Sequence, residues 1–168
     1  MNKTALHRQI IARLEADLEL YFKAARTAHA EATDPQSKAE NKYDTRGLEA
    51  SYLARGQSRQ AAETEAALAE LRRLPVRDFA PADPIDLGAC VGIEPVAAGR
   101  GRRGTTVLSR YFLAPKAGGT EVEIEGEEIT VITPQSPLGR QLMGRRVEDR
   151  VRLELGGPAA EYRIRSVE

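Results

Sequence analysis

The chain has 168 residues, and its 25 Lys+Arg against 25 Asp+Glu leave a formal net charge of zero. That balance excludes a protein that coats nucleic acid by bulk charge and a polybasic membrane binder. No apolar run approaches the roughly 18 residues of a membrane span, and the opening MNKTALHRQI lacks the apolar block of a signal peptide. One cysteine, Cys90, rules out an internal disulfide, and with only His7 and His29 beside it there is no Cys/His zinc site. A cytoplasmic, metal-free chain with no membrane partner is the expectation.

The first element is helical. Leu6, Ile10, Leu14, Leu18, Tyr21, Ala25, Ala28 and Ala32 recur at steps of three and four, which places them on one stripe. After an interruption at Thr33-Asp34-Pro35, residues Leu48, Tyr52, Leu68, Leu71 and Leu74 supply a second stripe. Two stripes joined by a short break predict an antiparallel helical hairpin, a coiled coil, over residues 1–75. Arms of about 28 residues would each run roughly 40 Å. Gly47 and Gly56 lie within the second arm. His7 and His29 fall 22 residues apart on one helix, too far to share a ligand, and read as incidental.

Pro75, Pro81 and Pro84 then predict an extended linker over 76–85. Beyond it the period changes to two. Cys90 sits in a strand entry as a small buried hydrophobe. Gly99-Arg100-Gly101-Arg102-Arg103-Gly104 matches G-x-G-x-x-G, but the next segment alternates as a strand where a dinucleotide fingerprint must open a helix. It reads as a hairpin loop. Strands are predicted over 106–113, 121–125, 129–132, 151–155 and 162–165, the second with every glutamate on one side. Ser136 as N-cap and Pro137 as first helical residue predict a short helix to Met143, stopped by Gly144. The fold class is therefore α+β: a helical hairpin followed, over 86–168, by a small antiparallel sheet with one short helix.

Two stretches carry a resemblance. One is Val131-Ile132-Thr133-Pro134-Gln135-Ser136-Pro137-Leu138-Gly139-Arg140-Gln141-Leu142-Met143-Gly144 with Val147-Glu148-Asp149; the other is Ala39-Glu40-Asn41-Lys42-Tyr43-Asp44 at the hairpin tip. Together with the order of the two domains, they resemble the Gre family of bacterial transcript cleavage factors, GreA and GreB. The resemblance implies an FKBP-like C-terminal domain that docks at the secondary channel of RNA polymerase through Ser136, Pro137, Leu138 and Gly139. It implies a hairpin whose tip carboxylates, Glu40 and Asp44 with Asp34 in reserve, help hold a catalytic Mg²⁺ of the polymerase beside the 3′ end of the nascent RNA. Hydrated Mg²⁺ demands hard oxygen ligands on a rigid support, which suits carboxylates on a helical arm. The chain would be a monomeric cofactor protein with no cofactor of its own, stimulating the polymerase's intrinsic cleavage of backtracked transcripts.

The tip departs from the family pattern. Ser37 stands where the family has Asp, and Tyr43-Asp44 reverses the acidic-Tyr order. Ser37-Lys38-Ala39-Glu40 is also a capping box, which gives Glu40 a purely structural alternative. Lys38, Lys42 and Arg46 form a basic stripe that either solubilises the helix or meets transcript phosphates. A second functional reading keeps the docking and drops the cleavage, leaving a secondary-channel regulator. A third, an FKBP-like prolyl isomerase, needs an aromatic-lined pocket; residues 76–168 offer only Phe79, Tyr111, Phe112 and Tyr162.

Overall fold

The computed structural model describes residues 1–34, 46–80, 82–96, 108–155 and 157–168. Glu40, Asp44, Lys38, Lys42, the Ser37 capping box and the 99–104 loop lie outside the described residues, as does the side chain of Arg46. Two compact units emerge. One joins residues 1–10 to 70–168, and the other comprises residues 11–69.

The helical unit is built from the greater part of α1 (Lys3–Thr33) and α2 (Arg46–Arg73). The predicted stripe of α1 is its sheltered face: Leu14 and Ala28 are buried, and Leu18, Tyr21, Ala25 and Ala32 are half-buried. The second stripe needs correction. Leu48 and Tyr52 are 57% and 66% exposed, while Ala50, Ala61, Ala67 and Leu68 are buried and Gly47, Ala54, Gln57 and Thr64 half-buried. Stepping back from Leu68 by threes and fours lands on 64, 61, 57, 54, 50 and 47, so Leu48 is one residue out of phase. Periodicity, not hydropathy, decides which face is buried.

In the other unit, Leu6, Ile10 and Leu71 are fully buried, and the His7 Nε2 donates to the Leu71 carbonyl at 2.7 Å. His7, read as incidental, thus ties the beginning of α1 to the last turn of α2. Segment 76–85 has no helix or strand among its described residues, yet it is anchored. Phe79 and Ile85 are buried. The Lys3 ammonium lies 4.5 Å and the Arg77 guanidinium 3.9 Å from the centre of the Phe79 ring. The Lys3 Nζ also donates to the Arg77 carbonyl. Burial pushes the Lys3 pKa down.

Six strands form one sheet: β1 (Cys90–Pro95), β2 (Ser109–Leu113), β3 (Glu121–Ile124), β4 (Glu127–Ile132), β5 (Arg150–Leu153) and β6 (Ala160–Val167), with α3 (Pro137–Leu142) between β4 and β5. The order is β3-β4-β2-β1-β6-β5. The pairings are antiparallel as expected, except β2 with β4, which run parallel from Arg110↔Ile129 to Leu113↔Ile132. The sheet is therefore mixed. The β3–β4 turn has Glu125 at φ 54 and Gly126 at φ 79, the two positive φ values that match a tight hairpin to strand twist. Val91, Ile93, Leu113, Leu142 and Ile164 form the centre of the core, none more than 0% exposed. Cys90 is buried as predicted, and burial pushes its thiol up to about 12, so no thiolate is presented at neutral pH.

Candidate functional site

Of the tip carboxylates, only Asp34 is described. It is exposed and immediately follows α1, its backbone N–H 3.4 Å from the Glu31 carbonyl. Among the described residues no group of three His, Cys, Asp or Glu side chains converges as a metal site.

The second predicted site is well described. Ser136 adopts φ −66 and ψ 155, and its Oγ accepts from the Gly139 N–H at 3.0 Å. The same hydroxyl donates to the Thr133 carbonyl at 2.7 Å. Ser136 is thus an N-cap that also pins the preceding turn, satisfying a helix-end donor that would otherwise lack a partner. Arg140 Nη1 donates to the Gln135 carbonyl at 2.8 Å across the same loop. Gly139 is required by contact: a Cβ there would lie 2.0 Å from the Thr133 oxygen. Only glycine lets α3 approach the end of β4 so closely. At the other end of α3, the Gly144 N–H donates to the Ile85 carbonyl at 2.9 Å, and the Ile85 N–H donates to the Arg145 carbonyl at 2.7 Å. The helix is held at both ends, and its own Leu142 is fully buried.

The four predicted docking residues therefore divide by role. Ser136 and Gly139 hold the loop. Pro137 and Leu138 face a shallow groove of about 640 Å³, completed by Gln141 on α3 and by Arg152, Glu154 and Leu155 from β5 and its end. A second depression of about 600 Å³ adjoins it, sharing Arg152 and Ala159 and extending toward Val96 and Glu161. Sequence reading missed Gln141, Arg152, Glu154 and Leu155. The alternation of 151–155 marks Arg152 and Glu154 as outward-facing, but which element lies beside them is a tertiary fact. Among the described residues, neither depression is lined by an aromatic side chain.

Fold and site together define a class: a helical hairpin joined to a small mixed sheet whose capped short helix borders a surface groove. Among solved structures, the chain is similar to the transcription factor Gfh1, with 18% identity over 95% of this chain and 94% of that one and a TM-score of 0.41. It is similar to the GreA factor homolog Gfh1 of Thermus thermophilus at 22% identity over 94% of each chain, with a TM-score of 0.39. The GreA/GreB elongation factor from Nitrosomonas europaea is 23% identical over 62% of this chain and 78% of that one, with a TM-score of 0.36. No family model and no curated protein matches the chain.

Proposed function

We propose that this chain is a Gre-like elongation factor that binds bacterial RNA polymerase at its secondary channel and stimulates cleavage of backtracked transcripts. The observation that carries the reading is the Thr133–Gly139 loop. Two hydrogen bonds through one serine hydroxyl and a glycine locked against a carbonyl hold Pro137 and Leu138 in a single geometry beside an open groove. A surface whose geometry is set before binding loses little conformational entropy on association, which favours protein docking. The absence of aromatic lining in either depression weighs against a prolyl isomerase.

In this reading Glu40 and Asp44, with Asp34 in reserve, add oxygen ligands to the polymerase's Mg²⁺ and orient water for phosphodiester hydrolysis. Lys38, Lys42 and Arg46 neutralise phosphates near the 3′ end. The protein supplies carboxylates to a site that is otherwise the polymerase's own. A second reading rests on Ser37, which occupies the position of a family aspartate: the factor binds the channel without inducing cleavage.

Halted, backtracked elongation complexes with Mg²⁺ separate the two. Shortened 3′ transcripts with the unaltered protein, lost with Glu40→Gln or Asp44→Asn, support cleavage stimulation. Binding to polymerase with an intact transcript supports the regulator. No binding at all overturns both.

A further inference from the structure

The groove beside α3 carries an electrostatic signature that the loop motif does not contain. Arg152 and Glu154 stand two residues apart at the end of β5, both exposed and both lining the groove. Neither has an ion-pair partner among the described residues, whereas every other arginine of β5 and β6 does: Arg150 meets Glu161 at 3.4 Å, Arg163 meets Glu94 at 3.2 Å, and Arg165 meets Glu148 at 3.0 Å. The pairing is selective. Glu161 lies directly across from Arg152 in the β5–β6 register, yet its carboxylate turns to Arg150. Arg152 is left facing the place where the two depressions meet.

We propose that Arg152 and Glu154 are specificity-determining residues of the docking groove, which takes a protein segment presenting an apolar side chain flanked by a carboxylate and a cation. This rests on the docking reading above and names the chemistry of the partner segment. Pro137, Leu138 and Leu155 form the apolar wall that receives the central side chain. Arg152 receives the carboxylate and Glu154 the cation. Residues two apart on a strand are separated by roughly 6.6 Å, a spacing that a partner meets with charges two apart on a strand or four apart on a helix. Two opposite charges in fixed order also set the direction in which the segment lies, which an apolar wall alone cannot do. Charges at the edge of an interface contribute mainly to partner choice and association rate.

The test measures affinity of the full chain for purified bacterial core RNA polymerase, with Leu138→Asp as the variant that probes the groove itself. Arg152→Glu and Glu154→Arg are each expected to weaken binding about tenfold at low salt, with the loss shrinking as salt screens the pair, and Arg152→Lys is expected to keep most of the affinity. Both side chains are exposed, and circular dichroism of each variant checks that folding is retained. If the unaltered protein binds and Leu138→Asp does not, while both charge reversals bind normally, the assignment of Arg152 and Glu154 is overturned and the docking reading stands. If the unaltered protein fails to bind, the docking reading is overturned and this inference with it.

Discussion

At the scale of single residues, the loop before α3 shows how one motif mixes structural and contact roles. Ser136→Ala removes both the cap and the tie to Thr133, and is expected to cost about 1 kcal/mol in denaturant unfolding. Gly139→Ala is worse, because its Cβ meets a backbone oxygen that cannot swing aside. A loss of about 2–3 kcal/mol is expected, or displacement of α3 visible as a changed spectrum for Leu138 and Leu142. Pro137 and Leu138 lie on the groove side, so changes there act on binding before stability.

A second residue-scale device joins the N-terminus to three interior strands of the sheet, β2, β4 and the end of β6. Glu168 receives the Met1 ammonium at 3.1 Å and Arg110 Nη1 at 3.2 Å, and Arg110 also meets Glu127. Burial pushes the Glu168 carboxyl up, but the hydrogen bond and charge of the Met1 ammonium, joined by Arg110, outweigh it and hold the pKa below the usual value. A depressed carboxylate stabilises the fold above its unfolded pKa and loses that contribution as pH falls through its folded one. Stability should therefore decline as pH drops below about 4.5, the ordinary glutamate value. Thermal melts of Glu168→Gln should show a shallower acid limb than those of the unaltered chain.

At the scale of elements, the helices show where hydropathy misleads. Period three-four correctly marked the α1 stripe and Leu68, but nearer the start of α2 the sheltered face is made of the buried Ala50 and Ala61 and the half-buried Ala54, which carry little hydrophobic signal next to Leu48 and Tyr52. Small residues in the seam leave no room for added volume. Ala61→Leu is expected to destabilise the helical unit by about 1–3 kcal/mol, whereas Leu48→Ser should stay within about 0.5 kcal/mol. Helical melts followed by circular dichroism compare the two directly. Strand β3 and helix α3 were legible because their signals are local: strict alternation in one, a Ser-Pro opening in the other. The β2–β4 pairing was not, because parallel register depends on a crossover connection and leaves no mark in either strand's own pattern.

At the scale of the molecule, the division into units cuts through both helices. Residues 1–10 belong with the sheet-bearing unit although they are the beginning of a 31-residue helix. Two leucines about two turns apart on α1 should consequently report on different units. Leu6→Ala is expected to lower hydrogen-exchange protection of β6, while Leu14→Ala lowers that of α2, each by about 2–4 kcal/mol of local stability. Equal losses in both units for either variant would show that the chain unfolds as one.

The sequence by itself determined the α+β class, the two long helices, five of the six strands and the capped loop at Ser136, since each depends on periodicity or local caps; strand β1, which opens at Cys90, was read only as a strand entry. Only the tertiary structure decided that alanines rather than Leu48 and Tyr52 close the helical seam, that Gly139 is set by a carbonyl 2.0 Å from its missing Cβ, and that Arg152 and Glu154 lie beside Leu138. Those facts join residues from separate elements. Nothing in the local chain specifies such a meeting until the sheet order and the parallel β2–β4 step bring the elements together.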